Sequence, residues 1–322
     1  MEIETTVGVE SEAGLVDAQG RPVSVSSMLE GITIPRDRKF ESLDGEMGDP
    51  MVELVTCVCE NADQIGDSLE RVMKLLPSGV TPIFKAHPFS TPVAVSRKSR
   101  ATAMIAALIR EDPEHGHKGV STVAQWCSTQ IQIGMNPWIP ERARLFRDIL
   151  DNIAPYSRAY VNQKYGITGA EGHLMIWQGW CNPARVPAPR RFQSATEYER
   201  YITSTPRLVV LKNGIWVPAD GEMSVFGDRY DEGTFWLLAR NRIEFKSTEW
   251  RPFPPTQPHQ TVQLVGEALV LTRAFHEHVD AHPEVLLPGA DLSDMYKALS
   301  KASKLVPPAP LSEFEWWRLY RL

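Results

Sequence analysis

The stretch WCSTQIQIGM, residues 126 to 135, limits the fold more than any other part of the chain. Successive side chains of a strand leave opposite faces. Ser128, Gln130 and Gln132 therefore share one side, and Thr129, Ile131, Ile133 and Met135 the other. Such a strand needs an apolar layer behind it. In front it presents neutral hydrogen-bonding groups, which suit either bulk water or the wall of a site.

The rest of the chain supplies partners for that strand. Residues 5 to 16 read as an opening strand followed by a turn in DAQGRPV, and MVELVTCVCE, 51 to 60, as a second strand. A helix follows, with Asn61 and Gln64 at capping-box spacing and a stripe of Ile65, Leu69, Val72, Met73 and Leu76. GVTPIFKAHPF holds a short strand, and residues 99 to 110 a helix. Pro140 opens a long helix whose apolar side is Leu145, Ile149 and Ile153. Residues 162 to 193 read as a long ordered loop containing Trp177 and Trp180. Ser194 and Glu197 are spaced to cap the helix TEYERYI. Asn213-Gly214 marks a hairpin, and RIEFKSTEWRPF, 242 to 253, a further strand. Helices over about 259 to 281 and 291 to 304, and in the tail SEFEWWRLY, close the chain. Strands followed by helices, with few βαβ periods, indicate an α+β fold with an antiparallel sheet.

The chain has 322 residues, 43% of them hydrophobic, and is read as one domain, because the Pro-rich stretches at 252 to 258 and 307 to 310 are short for linkers. Forty acidic residues against 34 Lys plus Arg leave a formal charge of -6, which argues against nucleic acid or anionic membrane as partner. No apolar run reaches transmembrane length and the N-terminus is acidic, so a cytoplasmic location is expected. Cys57, Cys59, Cys127 and Cys181 form no CxxC pair and read as buried small side chains. The sequence carries no GxxxxGK[ST], GxGxxG after a strand, HExxH or GxSxG.

Carboxylates on strands are the informative chemistry. Glu10 and Glu12 leave one face, which fits either a solvated strand or a cation site. Glu53 is the lone charge in MVELVTCV, and a buried carboxylate wants a partner or a metal. Glu46 and Asp49 offer more oxygens, and Glu249 and Arg251 share a face in STEWRPF. Isolated carboxylates without imidazole or thiolate suit a hard cation such as magnesium, which commonly arrives with phosphates. Gln130 and Gln132 could lend amide oxygens to metal or nucleotide, or simply form a polar row beside the next strand. His115 and His117, in a polar loop, and His87 carry no distinguishing pattern.

VGVESE, MVELVTCVC, AHPFS, STQIQIGMNP and TEWRPF occur in the order and approximate spacing of the glutamate–cysteine ligase type 2 family, and the chain resembles that family over about residues 5 to 255. These are carboxylate–amine ligases of the glutamine-synthetase-like superfamily. The resemblance implies an open, curved antiparallel sheet, with helices on the convex side and ATP and magnesium (or manganese in its place) on the concave face. Glu10, Glu12, Glu53 and Glu249 then match metal ligands, with Glu46 a further acid. Arg251 matches an arginine that contacts phosphate, and Arg251 and Glu53 take the catalytic positions. Gln130 and Gln132, with Arg251, fall on the nucleotide side. The implied reaction joins a carboxylate, the γ-carboxylate of glutamate in the family, to an amine through an acyl phosphate.

Two departures stand out. QIQIG replaces the family's HvHvG, so Gln130 and Gln132 stand for histidines and cannot gain a proton. The segment after the central helix also differs, so cysteine need not be the acceptor. Trp177, Trp180, Trp236 and Trp250 suggest an aromatic amine or ordinary packing. Two rivals stay open: an inactive nucleotide- or amino-acid-binding protein on the same scaffold, and a phosphotransferase releasing a stable phosphorylated product. Self-association is implied by the resemblance alone.

Overall fold

Glu4–Val16 forms β1, a long strand that pairs antiparallel with three others. The computed structural model describes residues 3–29, 41–46, 48–89, 99–111, 127–168, 190–232, 234–235 and 237–320. In chain order the elements are β1, α1 (Val25–Leu29), β2 (Ser42–Gly45), β3 (Met51–Val55), α2 (Ala62–Met73), β4 (Thr81–Ile83) and α3 (Ser99–Glu111). Then come β5 (Thr129–Asn136), α4 (Pro140–Tyr165), α5 (Ala195–Thr203), β6 (Val209–Lys212), β7 (Ile215–Pro218), α6 (Arg229–Glu232), β8 (Ala239–Arg242) and β9 (Ser247–Phe253). The helices α7 (Pro258–Ala281), α8 (Ser293–Ala302) and α9 (Glu313–Tyr320) complete the chain.

Seven strands make one open antiparallel sheet in the order β2-β3-β1-β5-β9-β8, with β4 pairing the far end of β1; β6 and β7 form a separate hairpin. The α+β architecture expected from the sequence is therefore present. Cross-strand partners share a face, and the register sorts the sheet cleanly. Val9 lies opposite Ile131 and Ile131 opposite Trp250. These residues, with Val7, Val52, Leu54 and Ile133, pack on Ile65 and Leu69 of α2, Phe146 and Ile149 of α4, and Leu271 and Phe275 of α7. Each such side chain gains about 1.5–3 kcal/mol by leaving water. That burial pins the register, because a slip of one residue would turn the acidic and amide side chains into the core.

Local signals act as the sequence indicates, with small shifts. The Asn61 side chain accepts the Gln64 amide at 3.0 Å, while Gln64 reaches back to the amide of Glu60 rather than Asn61. Ser194 caps α5 by accepting the Glu197 amide. Asn213 and Gly214 both take positive φ, 52° and 78°, as a tight two-residue hairpin turn requires. Two expectations change. The regular second strand stops at Val55, and Cys59 meets β1 again through an isolated bridge to Val7. Residues 242 to 253 are not one strand: a 3-10 turn at Ile243–Phe245 and Lys246 at φ 51° fold the segment into the β8–β9 pair. The tail helix closes the core, with Trp316 stacked on Tyr320 and donating to the Asp151 carbonyl at 3.0 Å.

Buried charge in α4 was not visible in its apolar stripe. Arg147 is ion-paired to Asp148 at 2.9 Å and Asp151 at 3.1 Å, all three buried. Arg147 also donates to the Ala239 carbonyl, and Asp148 accepts the Phe192 amide. The network ties α4 to the first residue of β8 and so positions that strand.

On α7, His276 is buried among Phe146, Phe275 and Arg142, and neither ring nitrogen has a hydrogen-bond partner among the described residues. Burial, then Arg142, pushes it down to about 4. Its neutral form supports the fold above pH ~6.5, and that support is lost as pH falls through about 4. His276→Leu should therefore flatten the acid limb, changing the difference in unfolding free energy between pH 7 and pH 4 by roughly 2–3 kcal/mol. Urea melts of both proteins across that range test this; parallel curves would refute it.

Candidate functional site

The front face of the sheet carries polar side chains along a continuous path. Glu12 lies opposite Glu53, Glu10 opposite Gln130, Gln132 opposite Glu249, and Glu249 opposite Arg240. Five strands thus bring together residues more than two hundred positions apart. Gly14 continues this face, and there a Cβ would stand 2.6 Å from the Pro88 side chain. Glycine is needed because the segment following β4 crosses closely.

At one end Glu12, Glu46 and Glu53 each offer an oxygen within 4.8 Å of the others. Glu12 is held firmly. Its Oε2 accepts the Ser128 amide at 2.7 Å and the Ser128 hydroxyl at 3.0 Å, and its Oε1 accepts Gln130 Nε2 at 3.0 Å. Even so, burial and then the Glu46 charge push Glu12 up to about 8. Glu53 is also raised well above the usual range, by burial and by Glu10, Glu46 and Glu12, and it shares a hydrogen bond with Glu10. Two carboxyls so joined need a proton between them, or a cation in its place. The donor set is all oxygen, with no imidazole or thiolate, and suits a hard divalent ion.

At the other end positive charge is in surplus. Glu249 is fully buried and takes Arg240 Nε at 2.6 Å, Arg240 Nη2 at 3.0 Å and Arg242 Nη1 at 3.0 Å, with Arg251 Nε 3.4 Å away. Burial alone would raise Glu249, but Arg240, Arg242 and Arg251 outweigh it and hold it far below the usual range. Arg242 Nε and Arg100 Nε are buried without a hydrogen-bond partner among the described residues. Arg100, from the start of α3, sits over the rings of Trp216 and Tyr230, and its charge is felt at Arg242, Glu46 and Glu53. Three guanidiniums against one carboxylate leave room for an anion.

The glutamines join the two ends. Gln130 donates to Glu12 and accepts from Arg251 Nε at 3.3 Å. Gln132 donates to Glu10 at 3.5 Å and accepts from Ser247 Oγ at 3.3 Å. Their polar face therefore lines the site rather than bulk water. It is the amide nitrogens that face the carboxylates, while the oxygens turn to Arg251 and Ser247.

The structure gathers Glu12, Glu46 and Glu53 into one cluster, with Glu10 beside it. It sets Glu249 among arginines, outside that cluster. Asp49 does not join; it accepts the Ser26 amide at the start of α1. Trp250 lies on the core face, against Phe253, with its indole on the Leu150 carbonyl. His87 is exposed. Trp177, Trp180, Trp236, His115, His117 and Cys181 lie outside the described residues. Arg240, Arg242 and Arg100 were missed. The first two are spaced i, i+2 in ARNR, a strand signal hidden by placing the next strand's start at residue 242.

No family model matches the sequence, and no curated protein does. Among solved structures the chain is similar to a bifunctional glutathione synthetase from Pasteurella multocida, at 12% identity and a TM-score of 0.47, over 93% of this chain and 41% of that one. It is also similar to a glutamate–cysteine ligase from Francisella tularensis in complex with AMP, at 9% identity and a TM-score of 0.48, over 99% of this chain and 82% of that one. The chain thus spans well under half of the first relative. Both likenesses are of overall fold at low identity.

Proposed function

We propose that the chain is an ATP- and magnesium-dependent carboxylate–amine ligase that forms an amide through an acyl phosphate, with glutamate as the expected donor and an amine not restricted to cysteine as acceptor. One observation carries the reading: an acidic cluster and an arginine cluster share one sheet face, linked by Gln130. A nucleotide's phosphates and a divalent ion need that pairing of opposite fields side by side.

Glu12, Glu46 and Glu53 would hold the ion, with Glu10, hydrogen-bonded to Glu53, beside them. The bound ion would supply neutralisation of phosphate charge near the attacking carboxylate. Arg251, the least buried of the three arginines around Glu249, is assigned to the transferring phosphoryl group, with Arg242 and Arg100 adding donors. Glu249 serves as the counter-charge that keeps those guanidiniums aimed. Gln130 holds Arg251 and Glu12 in fixed relation and, unlike a histidine, keeps its charge state across neutral pH.

The test is ADP release with magnesium or manganese over a panel of carboxylates and amines that includes glutamate and cysteine, followed by product mass spectrometry. ADP release that needs metal, carboxylate and amine together, with an amide product, supports the ligase. A phosphorylated product formed without amine would replace it with a phosphotransferase. Calorimetric binding without turnover on any pair would replace it with a binding protein.

A further inference from the structure

Behind the sheet, where the chain leaves β3, Cys57 and Cys59 bring their sulfurs to 3.7 Å from each other. Two residues apart in extended backbone, they project to the same side. The surroundings differ for the two. Cys59 is buried and its backbone is clamped to Val7 by reciprocal hydrogen bonds of 2.7 Å. Cys57 is half-buried, and its amide donates to Ser68 Oγ of α2 at 3.1 Å. The Ser68 hydroxyl lies 3.4 Å from Cys57 Sγ and 2.8 Å from Glu41 Oε1. Arg71, one turn further along α2, binds Glu41 through Nε and Nη2, both at 2.8 Å, and also hydrogen-bonds the Cys57 thiol. The Cys57 sulfur is thus partly open and lies beside a guanidinium, the setting in which a cysteine is placed to exchange.

We propose that Cys57 and Cys59 form a thiol–disulfide exchange site, in which Cys57 attacks a low-molecular-weight disulfide and Cys59 closes an intramolecular bond. In the first step the Cys57 thiolate forms a bond to one sulfur of the disulfide and the other sulfur leaves as a thiolate. In the second, Cys59 loses its proton to solvent and attacks Cys57 Sγ, expelling the second thiolate. The two electrons and the two protons of the cysteines end on the two small-molecule thiols. Burial, then the Cys57 thiol, pushes Cys59 up to about 12, so Cys59 is not the initial attacker. The sulfurs need to close from 3.7 Å to about 2.05 Å, by rotation of the half-buried Cys57 side chain. Glu41 competes with Cys57 for Arg71.

The test uses the full reduced chain incubated with oxidised glutathione, then alkylated, digested and weighed. The peptide holding both cysteines should lose two hydrogens and resist alkylation after unfolding, while Cys127, buried and with no thiol beside it among the described residues, is still alkylated. Cys59→Ser should stop at a glutathione adduct on Cys57, and Glu41→Gln should speed adduct formation by about 3- to 10-fold, as removing a competing negative charge requires. A wild-type peptide that keeps both thiols free, or Cys57 reacting no faster than Cys127, overturns the proposal without reliance on any variant.

Discussion

Glu249→Gln is expected to cost about 3–5 kcal/mol of stability at pH 7, the usual penalty for stripping one partner from a buried ion pair. Arg240 and Glu249 are almost wholly buried, and Arg242 and Arg251 are mostly so. Removing the carboxylate leaves three guanidiniums repelling one another on adjacent strands. The sign with pH follows. Glu249 sits below its unfolded value, so its contribution is complete above about pH 4.5 and is lost progressively as pH falls from there through its depressed folded value. Chemical melts at pH 7 and pH 3 should show the wild-type advantage at both. An anion such as pyrophosphate should stabilise the variant more than the wild type, since the site's positive surplus grows. A neutral effect of the substitution on stability would mean that the arginines are held by something other than this carboxylate.

Glu12→Gln should act in the opposite direction on the metal-free protein, raising stability at pH 7 by on the order of 2–3 kcal/mol, while abolishing metal-dependent turnover. Glu12 titrates near 8 in the fold, far above its unfolded value. Stability linked to it is complete below about pH 4.5 and declines as pH rises through about 8. Glu53, raised by burial and its three acidic neighbours, adds a penalty of the same sign. A divalent ion would reverse that penalty, so magnesium should raise the wild-type melting temperature more at pH 8.5 than at pH 6. Glu12→Gln and Glu53→Gln should lose most of this gain. A magnesium shift of equal size in wild type and both variants would show that the ion binds elsewhere. The pairing of higher stability with lost chemistry is what a site built from like charges predicts.

Particular elements show how far the sequence could be read. The alternation in β5, the Asn61 and Ser194 caps and the Asn213-Gly214 turn are local signals, set by a few neighbouring residues, and each appears in the structure. Glu10, Glu12 and Glu53 stood out because a carboxylate within an apolar strand is costly wherever the strand goes. Arg240 and Arg242 escaped notice because ARNR is too short and too polar to resemble a core strand; its identity depends on β9 beside it and on the Arg147 bond to Ala239. The charged side of α4 escaped for a similar reason. Arginines and aspartates in a helix read as solvated until tertiary packing covers them.

The amino-acid order alone determined which side chains share a face on each strand, because that follows from the two-residue period of extended backbone. It could not determine how the strands are ordered, and so could not say that Gln130 would meet both Glu12 and Arg251, or that Glu249 would be ringed by guanidiniums instead of joining the acids. The Gln130 contacts depend on pairings across more than a hundred residues, which only the burial of the whole back face against α2, α4 and α7 selects, and the ring around Glu249 depends on the local β8–β9 pair that this packing holds in place.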